Sequence, residues 1–103
     1  MDFKDTTAGM LTIQLQELTV NLDKLQVSID TLKALYQLDA EAIKLFLKAQ
    51  CIWSEYVKAE LYLVEHDWKG GTICPLQIAA VHNDLVIARI KYLDRLVAEK
   101  KSH

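Results

Sequence analysis

Between Met10 and Lys69 the chain contains neither glycine nor proline. Nothing in that stretch interrupts helical hydrogen bonding, and nothing supplies the turn chemistry that would separate strands. Its apolar residues also recur at helical spacing. Leu11, Leu15, Leu18, Leu22, Leu25, Ile29, Leu32 and Tyr36 follow alternating steps of four and three, the pattern of a helix packed along its length. Such a helix is about 40 Å long at a rise of ~1.5 Å per residue. Asp5, Thr6 and Thr7 are suitable caps ahead of it. A strand reading competes locally, because Leu11 to Gln16 and Leu18 to Leu22 alternate and contain Thr and Val. Hairpins need turn residues between such runs, and none is present, so the helix is preferred.

This first helix carries a second stripe. Ile13, Val20 and Val27 recur at every seventh position, on the face opposite the leucine seam. One apolar stripe docks a helix onto its own core, and a second calls for burial on two sides. The other helices, a second copy or a partner protein would cover it, so these three residues form the expected oligomer interface. The alternative is three isolated apolar side chains on a surface that tolerates them.

The second helix is expected from Asp39, a cap for Ala40-Glu41-Ala42, to about Asp67. It is apolar on most sides, which suits the centre of a bundle or an oligomer. Ala49, Trp53, Tyr56, Glu60 and Leu63 are spaced by three or four and share one side, with Trp53 and Tyr56 as core anchors. Gly70 and Gly71 end the helix by accepting left-handed backbone. Thr72 can cap a third helix with Pro75 in its first turn, running from about Pro75 to Ala98. Leu76, Ala79, Ala80, Val86, Ile90, Leu93 and Val97 form its inward face. The expected fold is all-α, one domain over residues 1–103. It is a three-helix antiparallel bundle with two long helices and a Gly-Gly corner before the third, open to dimerisation.

The order Ala49-Gln50-x-x-Trp53-x-x-Tyr56, then Ala59-Glu60, Gly70-Gly71-Thr72, Pro75 and Arg89 resembles the lysozyme-inhibitor LprI-like family of small bacterial helical proteins. The resemblance covers the second half of the chain, and the first half shares only its helical character. It implies a compact helical inhibitor that acts by shape and not by catalysis. Leu61 and Val81 stand where that family places cysteines, and Val57-Lys58 where an Arg-Asp pair is common. Both cysteine positions are apolar, so the family's disulfide is lost as a unit. Cys51 and Cys74 lie elsewhere and read as free thiols, with a 51–74 bridge as the alternative.

Composition narrows the field. Hydrophobic residues make up 51% and charged residues 25%, the profile of a globular protein with a modest core. The formal charge is −2, with acids and bases interspersed, so no basic stripe offers itself to nucleic acid. The short Glu99-Lys100-Lys101 run reads as a solvated helix end. The apolar runs are too short to cross a bilayer. Met1-Asp2-Phe3-Lys4-Asp5 lacks the basic and apolar regions of a secretory signal. With the family cysteines missing, a reducing compartment is expected, cytoplasmic or reached without a classical signal, and periplasmic only if a leader has been removed.

Candidates for chemistry are thin. His66, His82 and His103 do not sit at ligand spacing with one another or with a cysteine, and Cys74 with His82 makes only two ligands. Cys51 lies within the second helix beside Ile52 and reads as a small core residue, not a nucleophile. The Gly70-Gly71 pair lacks the strand and spacing of a phosphate loop. The carboxylate pairs Glu17/Asp23 and Glu55/Glu60 read as solvated. Arg89 is expected to pair with helix two, at Glu60. No cofactor or metal is called for, and an enzyme is not expected.

Two functions remain. The first is an inhibitor of another enzyme, met inside the cell or delivered alongside it, contacted through the corner Trp68, Lys69, Gly70, Gly71 and Thr72. The second is an adaptor bundle that homodimerises through its first helix and inhibits nothing.

Overall fold

The computed structural model describes residues 6–102. It contains three helices: α1 over Thr7–Leu35, α2 over Ala40–Trp68 and α3 over Cys74–Lys101. No strand occurs among the described residues. The Thr6 side chain caps α1 by accepting from the Gly9 N–H at 2.9 Å, and Asp39 caps α2 by accepting from Ala42 at 3.0 Å. Asp5, the other acidic cap candidate, lies outside the described residues. The expected Thr72 cap does not form. Ile73 holds the cap position of α3 with no side-chain hydrogen bond, and Pro75 lies in the first turn. Gly70 takes φ +83°, and Gly71 N–H closes the corner onto Trp68 O at 3.0 Å.

The order is up-down-up. Gln14 and Ser28 of α1 hydrogen-bond Asn83 and Asp94 of α3, so α1 and α3 run parallel. Gln50 and Trp53 of α2 meet Arg89, while residues nearer the start of α2 lie toward Leu96 and Lys100, so α2 is antiparallel to both. The helix at the centre is α3, not α2. It packs along the full length of α1 and more lightly on α2, and α1 and α2 barely meet. The molecule measures 54 × 28 × 15 Å, little more than one helix layer thick in its thinnest direction. Its radius of gyration is 16.7 Å, against about 13 Å for a compact domain of this length.

Two physical consequences follow. The core is small: Leu25 and Leu32 of α1, Phe46 of α2, and Val86 and Leu93 of α3, with Leu18, Ile29, Tyr36, Trp53, Ile90, Leu96 and Val97 packed around them. The leucine seam of α1 is also only partly used. Leu25 and Leu32 are buried, but Leu15 and Leu22 are exposed, Leu22 at the edge of a gap between α1 and α2.

The α1–α3 seam is polar as well as apolar. The Asn83 side chain, 4% exposed, donates from Nδ2 to Gln14 O and Oε1, both at 2.8 Å. It accepts from Asn21 Nδ2 at 3.0 Å. One heptad further on, Ser28 donates to Asp94 at 2.7 Å. Gln14, Asn21 and Ser28 are spaced by seven, so they form a ladder along one line of α1. Each buried polar group is satisfied, and the pairing fixes the register of α1 on α3.

Candidate protein-binding site

Where α2 meets α3, the residues of the Ala-Gln-x-x-Trp motif come together. Arg89 Nε donates to Gln50 Oε1 at 2.7 Å. Its guanidinium lies 5.9 Å from the centroid of Trp53 and 5.3 Å from that of Tyr92. Arg95 covers the same tyrosine at 5.1 Å. Burial lowers the pKa of Arg89 from its ordinary value, and Tyr92 offsets part of that effect. The group stays cationic. Its partner is Gln50, not the expected Glu60. A neutral amide suits this place, because Arg89 is also stabilised by ring faces and needs no carboxylate.

Beside this cluster lies a shallow groove of about 350 Å³, lined among others by Tyr36, Leu45, Phe46, Ala49, Tyr92 and Leu96. Lys100 stands over Tyr36 at 5.1 Å. The walls are apolar, the rim is cationic, and no set of convergent acid, base or nucleophile points inward. Among the described residues no group of three or more His, Cys, Asp or Glu is placed to hold a metal ion.

The sequence motif splits across two faces of α2. Trp53 and Glu60 turn toward the bundle. Tyr56, expected as a core anchor, is half exposed, and Leu63 is more so. Ala49 is also exposed. Three- and four-residue spacing covers a broad arc of a helix, and α3 is narrow enough to bury only part of it.

The Trp68 corner is accessible. Trp68 is 43% exposed, and Lys69, Gly70, Gly71 and Thr72 are all at the surface. A Cβ at Gly70 would meet nothing within 4 Å, so that corner opens to solvent, whereas one at Gly71 would press on Trp68 O at 3.3 Å. On α1 the three stripe residues lie along the edge facing α3, Val27 beside Ile90 and Asp94. Ile13 and Val20 border a groove of about 560 Å³ against Ile87 of α3. Val27 lies further along and is 65% exposed. The stripe therefore flanks the α1–α3 seam and does not face directly away from it.

Both cysteines are free. Cys51 is exposed and not a core residue; Cys74 is half-buried, with its Sγ 4.0 Å from Glu65 O. His82 lines a gap between the three helices with Leu22, Trp53, Ser54, Val57 and Lys58, and burial lowers its pKa. Among the described residues no helix is long and apolar enough to cross a membrane.

Compared with known proteins, the chain matches no family model, no curated sequence and no solved structure.

One surface escaped the sequence reading. Leu45, Ala49, Ile52, Tyr56, Ala59 and Leu63 are all exposed. Their steps of 4-3-4-3-4 form an apolar line along one flank of α2, and its first two members, Leu45 and Ala49, also border the groove beside α3. The signal was present in the sequence but hidden by a second apolar line, Phe46, Trp53, Val57 and Val64, which faces the bundle.

Proposed function

We propose that this chain is a non-catalytic binding protein that restrains another enzyme by covering part of its surface. The observation that carries the reading is the balance between core and surface. Among the described residues sixteen large apolar side chains are exposed, against eight buried apolar ones. Isolated exposed leucines are ordinary, but continuous lines of them mark contact surfaces. The resemblance to the LprI-like family supplies the kind of partner, an enzyme, and the kind of action, obstruction. The corner Trp68–Thr72 is the proposed contact. A tryptophan held on a tight two-glycine turn loses little freedom on binding and offers a large apolar area.

The test is affinity capture from the native cell with the parent chain and with Trp68→Ala, followed by assay of the captured enzyme. The reading predicts an enzyme retained by the parent, slowed by it, and released by the variant. Capture of no enzyme, or undiminished turnover in the complex, contradicts it.

A further inference from the structure

We propose that two copies of this chain pair through the exposed apolar line of α2, antiparallel, about a two-fold axis level with residue 54. The line from Leu45 to Leu63 covers ~27 Å of helix. Turned end for end about residue 54, it matches itself. Leu45 meets Leu63 of the second copy, Ala49 meets Ala59, and Ile52 meets Tyr56. Large side chains face large ones at the ends and centre, and the alanines between them let the helices approach closely. Each pairing also joins an a-type position to a d-type position, as antiparallel coiled coils require. A surface that complements itself under rotation is what a closed, isologous dimer uses.

Charge favours the same orientation. Residues 40–53 carry Lys44 and Lys48 with a single acid, Glu41. Residues 54–68 carry Glu55, Glu60, Glu65 and Asp67 with a single lysine, Lys58. Antiparallel pairing sets the basic half of one helix against the acidic half of the other, whereas parallel pairing stacks acid on acid. One like-charge meeting remains, between the two Glu55 side chains near the axis. Each has Lys58 at 3.7 Å to moderate it.

The exposed area also suffices. The chain presents 7136 Å² to solvent, against about 5,900 Å² for a compact monomer of its mass. The surplus, which is spread over the whole flat molecule and includes the α2 line, exceeds the ~800 Å² per partner of a standard interface. Trp68 lies on the other side of α2 from this line, so the pairing leaves that corner free. It stands or falls separately from the enzyme-binding reading.

Sedimentation of the full chain over about 1–100 μM tests the pairing. The expected mass is twice the 11.8 kDa of one chain. Ile52→Asp, at a site 59% exposed, should return it to a single chain with an unchanged helical spectrum, while Val20→Asp should leave the dimer intact. Orientation is read by a spin label at Glu41→Cys in a Cys51→Ser, Cys74→Ser background. Antiparallel pairing places the two labels about 40 Å apart, and parallel pairing about 10–20 Å. A single-chain mass at the highest concentration, a dimer that survives Ile52→Asp, or the short label distance each overturns the proposal.

Discussion

Arg89 of α3 reaches Gln50 of α2 with a 2.7 Å hydrogen bond while stacking near Trp53 and Tyr92. This is the most specific polar link between two helices that otherwise touch lightly. Replacing Gln50 by Leu leaves a partly buried guanidinium without its acceptor. The expected cost is about 1–3 kcal/mol in urea unfolding. Arg89→Lys should cost a similar amount, since a compact ammonium cannot stay near both rings and also supply the sideways Nε hydrogen bond. Equal stability of both variants and the parent would show that α2 is held by apolar packing alone.

Asn83 gives a second prediction. It is buried and engages Gln14 and Asn21 together. Asn83→Ala should destabilise by about 1–3 kcal/mol, through lost hydrogen bonds and a small void. Asn83→Leu tests register. It fills the seat with apolar bulk but leaves Gln14 and Asn21 without their partner. If Asn83 specifies alignment, the amide exchange of α1 should rise in Asn83→Leu even where global stability is kept.

His82 makes stability depend on pH. Burial lowers its folded-state pKa below the unfolded value, so the unfolded chain binds the extra proton first. The unfolded state then binds more protons than the folded one as pH falls through the ordinary histidine range, and stability declines there. Above about pH 7 the histidine is neutral in both states and the effect vanishes. Thermal melts should show the midpoint falling from pH 7.5 to pH 5.5, with a shallower fall in His82→Gln. Identical slopes for the two chains would remove His82 as the cause.

The glycine corner separates backbone strain from crowding. Gly70 has φ +83° and open space around its Cα. Gly70→Ala should therefore cost only the left-handed backbone penalty, about 1–2 kcal/mol. Gly70→Asn should cost less. Gly71→Ala meets Trp68 O at 3.3 Å, so its effect depends on whether the corner can shift. Chemical denaturation of the three variants gives the order.

The three helices were legible because their signals are local. Caps at Thr6 and Asp39, the unbroken stretch from Met10 to Lys69, and the inward face of α3 from Leu76 to Val97 all appear in the structure as read. The arrangement was less legible. An apolar circumference suggested that α2 lay at the centre, but the tighter seam belongs to α1 and α3, where Asn83 pairs with Gln14 and Asn21. That seam could have been noticed. Leu76, Ala79, Val86, Ile90, Leu93 and Val97 keep a three-four rhythm in which position 83 is the missing beat, and an asparagine fills it. Periodicity searches that count only apolar residues pass over a polar seat. The same habit hid the exposed line of α2, because two interleaved apolar lines on one helix read as a single broad one. Tyr56 and Trp53 both fall within that broad line, although only Trp53 packs in the core.

The pairing of two copies requires the apolar line over residues 45–63 of α2 to be a protein contact and not a water-facing surface. Hydrogen exchange of the full chain at low and high concentration measures this most directly. The predicted result is protection that rises with concentration across residues 45–63 and stays constant along α1. Exchange that is independent of concentration throughout α2 would contradict it.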